Sequence, residues 1–156
     1  MEKYPLASER KGPDAFQFLD GMAAAMWLLT EVNAGWQSSH GRLVVSPQRT
    51  TGRAQDRWAG IQTGLPITPL VDEGNGPAAA EEALCLARVE LPESAGWPSV
   101  LVACSVLPWG GAGKDWPGLP LTFLNDQAAF VLEHHAARIG AARKPGEPLL
   151  WGGDFN

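Results

Sequence analysis

Two apolar runs, Leu84-Cys85-Leu86-Ala87-Arg88-Val89-Glu90-Leu91 and Ser99-Val100-Leu101-Val102-Ala103-Cys104-Ser105-Val106-Leu107, flank a connector that contains proline and glycine. Together they read as a hairpin of two strands. Pairing symmetric about the connector sets Cys85 opposite Ser105 and turns Cys104 to the other side of the sheet, so a disulfide between the two cysteines is not expected. After the hairpin come a Trp/Gly/Pro loop from Pro108 to Pro120, a helical stretch and a last apolar strand, Leu149 to Trp151. The helix starts from Asn125 or Asp126 as N-cap and runs to about Ala142, with Ala129, Leu132, Ala136 and Ile139 on one face, and Lys144-Pro145-Gly146 breaks it. A β-rich middle, a helix and a buried strand fit an α/β layered sandwich.

Upstream, residues 1 to 13 form a polar arm that ends in the turn signal Gly12-Pro13. Asp14 and Gln17 resemble a capping box, and Ala15, Phe16, Leu19 and Ala23 give the following helix, to about Gly21, an apolar face. Met26 to Val32 is a short apolar run with one carboxylate, Glu31, near its end, and it reads as a buried strand. Further strands are expected at Arg42 to Ser46, between Gly41 and Pro47, and around Trp58 to Thr63.

The 156 residues make one domain of chain, divided into the arm (1–13) and the folded part (14–156). Eighteen glycines and 13 prolines predict many turns, and seven tryptophans argue for a packed core or an aromatic-lined cleft. A net charge of −5 gives no overall attraction to nucleic acid or an anionic membrane. Two cysteines outside any CxxC or Cys/His zinc spacing point to a reduced, cytoplasmic setting. The charged N-terminus is unlike a signal peptide, and the longest nearly apolar run, Met22 to Leu29, is far short of a membrane span.

Polar residues at the C-terminal ends of buried strands are the usual place for a site in α/β folds. Glu31 after Met26-Trp27-Leu28-Leu29-Thr30, and Asp154 after Leu149-Leu150-Trp151 and two glycines, fit that description. With Asn156 beside them they would make an oxygen-rich cluster, which suits Mg²⁺ because that ion takes few protein ligands and keeps several waters. Other candidates carry less. Gly110-Gly111-Ala112-Gly113-Lys114 lacks the spacing of a phosphate loop, and Arg49, Arg53 and Arg57 read as a solvated loop that could face a phosphate. His40 sits in a polar loop, and His134 and His135 are expected as solvated helix residues pointing apart.

WLLTE ending at Glu31 and LLWGGDFN carrying Asp154 and Asn156, in this order and spacing, resemble the endonuclease/exonuclease/phosphatase superfamily of DNase-like metal-dependent phosphodiesterases. The resemblance implies an α/β sandwich of mixed sheets flanked by helices. It implies a metal ligand at Glu31, Mg²⁺ or Mn²⁺ as the ion, an Asp154 near the attacking water or leaving oxygen, and an Asn156 that bonds the scissile phosphate. Where family members place a phosphate-reaching His or Tyr, this chain offers Ser105. The family's first strand, its later strands and its final Ser-Asp-His motif, which carries the general base, have no counterpart in this sequence. The resemblance therefore implies a partial domain lacking its C-terminal strands, acting on a phosphate ester or nucleic acid weakly or not at all, with a sheet edge open to self-association. The alternative expectation is a non-catalytic interaction protein with an exposed patch around Trp97, Trp109 and Trp116.

Overall fold

The computed structural model describes residues 24–36, 41–70, 76–109, 116, 118–119 and 124–155. The polar arm, the helix expected over 14–21, His40, the loop of Gly110 to Lys114 and Asn156 lie outside the described residues. Among the described residues seven strands form two sheets. Strands β1 (Met26–Asn33), β2 (Arg42–Val45) and β3 (Asp56–Thr63) make an antiparallel sheet ordered β1-β3-β2. Strands β4 (Ile67–Pro69), β5 (Leu84–Glu90), β6 (Ser99–Val106) and β7 (Leu149–Asp154) make the second, ordered β4-β5-β6-β7, with β7 parallel to β6. Helix α1 (Ala78–Glu82) precedes β5, and α2 (Leu124–Ala142) makes the crossover that a parallel pair requires. No helix among the described residues is long and apolar enough to cross a membrane.

The sheets pack face to face, with Val44, Trp58 and Ile61 of one against Cys85, Val89, Val102, Cys104 and Val106 of the other. The second sheet also buries its outer face, where Leu84, Leu86, Leu101 and Ala103 meet Ile139 of α2. Burial on both faces explains why β5 and β6 are near-continuous apolar runs rather than alternating ones.

The hairpin register differs by one residue from symmetric pairing. Leu91 N donates to Pro98 O (3.0 Å), and a short 3₁₀ turn, Glu93–Ala95, followed by a left-handed Gly96 (φ 76°) closes the connector. Cys85 therefore pairs with Cys104, and Leu84 with Ser105. Both thiols point into the sandwich, yet each donates to a different strand of the facing sheet. Cys85 Sγ reaches Val44 O (3.5 Å) and Cys104 Sγ reaches Leu29 O (3.4 Å), and both cysteines are free. Burial raises both thiols, that of Cys104 to about 11, so neither is a thiolate at neutral pH.

Helix α2 buries a different face from the expected one. Val131, His135 and Ile139 point inward at four-residue spacing, while Ala129, Leu132 and Ala136 are exposed. His135 is fully buried, and His134 is half-buried against Glu81 (2.8 Å), so neither is a solvated helix residue. The reason lies in α1: alanines at 79 and 80 leave room for an imidazole, and Ala80 offers a helix-terminal carbonyl that His135 Nε2 bonds at 2.8 Å.

Glu147 anchors the turn between α2 and β7. Its carboxylate accepts from Arg88 Nε (2.6 Å) and Nη2 (3.2 Å), Ser99 Oγ (2.9 Å) and Lys144 N (3.1 Å). Arg88 holds it well below the usual carboxylate range, at about 2, so its stabilising contribution is present above pH 4.5 and is lost as pH falls toward 2. Glu147→Ala strands the Arg88 guanidinium and should cost about 3 kcal/mol in urea denaturation at neutral pH.

Candidate active site

The packing of the two sheets decides which strand ends meet. Arg42 Nη1 donates to Ile67 O (3.4 Å) at one end of the sandwich. Further along, Cys104 bonds Leu29 O and the Gly152 backbone lies against Leu28, whose Cδ1 would sit 2.7 Å from a Cβ at 152. β1 therefore runs over β6 and β7 in their own direction, and Glu31 and Asp154 come to the same end.

Glu31 lies within β1, two residues before its end, rather than after it. It is the one non-glycine among the described residues with positive φ (55°), and the β1–β3 pairing skips it between Thr30↔Ala59 and Val32↔Arg57. A left-handed conformation costs an L-residue roughly 1–2 kcal/mol, and such strain concentrates at functional positions. Its carboxylate is exposed while Val32 beside it is buried.

Asp154 is the last residue of β7, not part of a following loop, and its carbonyl accepts from Leu107 N (2.9 Å). Gly152 and Gly153 belong to the strand. Gly153 has φ 143°, and a Cβ there would lie 1.8 Å from Ser105 O, so the glycine permits close approach of β7 to β6 rather than a turn. Ser105 is fully buried, and its Oγ accepts the Trp151 indole N–H (2.8 Å), a bond that fixes β7 against β6 rather than presenting a hydroxyl to an open cleft.

Aromatic residues back this end of the sandwich. Trp58, which would lie opposite Glu31 in the β1–β3 register, is 2% exposed and stacks on Trp116 (centroids 5.2 Å apart, 24° between planes). The Arg49 guanidinium carbon sits 3.4 Å from the Trp58 ring centroid, a cation–π contact. Nearby, Thr50 N and Oγ1 donate to the buried Glu82 carboxylate (3.0 and 3.4 Å). Arg57 Nη1 is tied to the carbonyls of Ala54 and Asp56. The sequence places a strand around Trp58 to Thr63 but carries no signal for this stack, whose second ring comes from Trp116.

The patch expected around Trp97, Trp109 and Trp116 does not form. Trp116 is buried, and the exposed Trp97 and Trp109 lie beyond opposite ends of β6, an eight-residue strand spanning roughly 26 Å. A cavity of about 170 Å³ between Val44, Pro69, Leu86, Glu81 and Arg138 includes neither Glu31 nor Asp154.

Among the described residues no three His, Cys, Asp or Glu side chains stand together as a metal site. The exposed Glu31 carboxylate is a hard oxygen donor, and it fits an ion that takes few protein ligands and retains water, as Mg²⁺ does.

The architecture has a solved counterpart. The crystal structure of ANGEL2, a 2′,3′-cyclic phosphatase, in complex with adenosine-2′,3′-vanadate, is similar with a TM-score of 0.53 and 17% sequence identity. The similarity covers 99% of this chain, which spans 46% of that one. No protein-family model and no curated protein matches the sequence. The likeness shows the fold: a mixed α/β, DNase-like arrangement of two sheets flanked by helices.

Proposed function

We propose that this chain is a phosphoesterase domain of the endonuclease/exonuclease/phosphatase superfamily, hydrolysing a phosphate ester with water. One observation carries the reading: a strained, exposed Glu31 carboxylate shares one end of the sandwich with Asp154, in a fold also found in a 2′,3′-cyclic phosphatase. In this reading Glu31 holds Mg²⁺ or Mn²⁺, and the ion, when bound, neutralises charge on phosphoryl oxygens. Asp154 orients the attacking water or the leaving oxygen, and Asn156 donates its amide N–H to the phosphate. The left-handed backbone at Glu31 presents the carboxylate outward, and the rigid β6–β7 ladder fixes Asp154. His134 and His135 are held by Glu81 and Ala80, away from this role. Because both histidines among the described residues are engaged in this way, we expect turnover on the order of 10²–10⁴ below that of a site with a histidine general base. The nucleotide-like ligand of ANGEL2 supports a 2′,3′-cyclic phosphate as the substrate to try first.

The test is turnover of bis-p-nitrophenyl phosphate and of adenosine 2′,3′-cyclic phosphate with Mg²⁺ or Mn²⁺, together with melting curves with and without the ion. Slow, metal-dependent hydrolysis and a metal-dependent rise in melting temperature are expected, both lost in Glu31→Gly. The same substitution should stabilise the metal-free protein by about 1 kcal/mol, because glycine tolerates φ 55°. Asp154→Ala should abolish hydrolysis but leave the metal-dependent melt. Hydrolysis unchanged in Glu31→Gly would overturn the assignment.

A further inference from the structure

The second sheet ends on β7, and hydrogen-bond parity shows which of its backbone groups face away. Leu101 N donates to Pro148 O (3.0 Å) and Leu107 N to Asp154 O (2.9 Å), with β6 and β7 parallel in register between them. Alternate residues of a ladder strand bond to alternate sides, so Leu150, Gly152 and Asp154 bond to β6. The N–H and C=O groups of Leu149, Trp151 and Gly153 therefore point from the outer edge, and no strand among the described residues pairs there.

The other sheet edges carry devices against pairing. β4 has three residues, follows Pro66 and ends on Pro69. β2 has four, between Gly41 and Pro47, and β1 is interrupted by the left-handed Glu31. β7 runs six residues as LLWGGD with no proline, lysine or arginine, and Leu150 (45% exposed) and Phe155 (44%) lie along it. Such an edge is a template for another strand.

We propose that β7 pairs antiparallel with β7 of a second copy of this chain, about a two-fold axis at Trp151, joining the two sheets into one. This interface goes beyond the phosphoesterase reading and does not depend on it. Pairing outward residues with outward residues sets Leu149 opposite the partner's Gly153 and Leu150 opposite the partner's Gly152, so the bulky first half of each strand meets the bare second half of the other. Charge selects the same direction. The start of β7 follows exposed Arg143 and Lys144, in a turn closed by Glu147 N to Lys144 O (3.1 Å), and its end carries Asp154. Glu147, the acid of that turn, is already neutralised by Arg88. Antiparallel pairing brings each Asp154 to the partner's basic turn, whereas parallel pairing would stack Asp154 on Asp154. A two-fold contact also closes, leaving no β7 edge for further growth.

Sedimentation of the full chain from low to high micromolar concentration, with amide hydrogen exchange across the same series, tests this. A monomer–dimer equilibrium is expected, with the Leu149, Trp151 and Gly153 amides gaining protection as dimer forms while those of Leu150 and Gly152 are protected throughout. Leu150→Lys should weaken the dimer by about tenfold or more with an unchanged melt. Lys144→Glu should weaken it, and adding Asp154→Lys should restore it. Three results would overturn the proposal: a monomer at every concentration, a dimer in which those three amides exchange at the monomer's rate, or three amides protected at every dilution, which would mean that the edge is covered within one chain.

Discussion

Replacing Gly153 by alanine should lower the melting temperature by about 10 °C or more. Two effects add. The φ of 143° is a conformation that L side chains rarely adopt, which costs on the order of 1–3 kcal/mol. The new Cβ would also fall 1.8 Å from Ser105 O, and the nearest atoms it meets are all Ser105 backbone in the middle of the β6–β7 ladder, which cannot rotate aside. β7 must then lift from β6, loosening the Trp151 bond to Ser105 and the contacts of Leu149 with the α2 face. The sum is about 4 kcal/mol, and each kcal/mol is worth roughly 2–4 °C at this chain length. Neighbouring glycines calibrate the result. Gly152→Ala meets only the end of the Leu28 side chain and should cost about 1 kcal/mol. Gly140→Ala, in the exposed interior of α2 with nothing within 4 Å, should stabilise by roughly 0.5–1 kcal/mol. Differential scanning calorimetry on the three variants gives the order directly. Equal melting temperatures for Gly152→Ala and Gly153→Ala would mean that β7 is not seated on β6 as described.

Acidification from pH 6.5 to pH 4 should remove about 3 kcal/mol of stability through one buried histidine, His135. Burial pushes His135 down from 6.5 to about 4, although its bond to the Ala80 carbonyl works in the opposite direction. His134 and Arg138 on the same helix add a smaller lowering effect, and Glu81 of α1 already engages both of those side chains. A Nε2–H donated to Ala80 O leaves Nδ1 as the acceptor, and Nδ1 is buried without a partner among the described residues. Protonation there creates a donor and a charge with nothing to receive them. The unfolded chain takes up this proton near pH 6.5 and the folded one only near pH 4. Stability is therefore full above pH 6.5, declines as pH falls through the interval and levels off below it. Urea titrations across that interval should show the midpoint falling in the wild type and staying nearly flat in His135→Leu. A parallel decline in both proteins would place the acid sensitivity elsewhere. The Glu147 contribution is lost in a lower window, below pH 4.5, so the two are separable.

What the sequence revealed follows from how local each signal is. Strand existence came from apolar runs whose length and punctuation are set by neighbours along the chain, and β1, β3, β5, β6 and β7 all lie where those runs are. The pairing of Cys85 with Cys104 was not legible in this way. It depends on one 3₁₀ turn and one left-handed glycine in the connector, and a shift of one residue moves every side chain to the other face. The buried face of α2 was misread for a related reason. Alanine suits both the core and the surface, so Ala129 and Ala136 carried little information, and a histidine became a core residue because α1 supplies a carbonyl from some fifty positions away in sequence. Trp116 gave no local sign of its fate, since its partner Trp58 comes from β3, distant in sequence. For the site, Glu31 and Asp154 were singled out as carboxylates following buried strands; both lie inside their strands instead, and the left-handed backbone at Glu31 had no sign in the sequence.

The parallel pairing of β6 with β7 also sets an order of assembly. β5 and β6 are joined by a short connector and can zip as soon as both have been synthesised, whereas β7 must wait for the whole crossover through α2. Closing so long a loop carries an entropic cost that only non-local contacts repay, and such contacts form late. Asp154 therefore reaches its place after Glu31, whose end of the sandwich forms before the second carboxylate arrives.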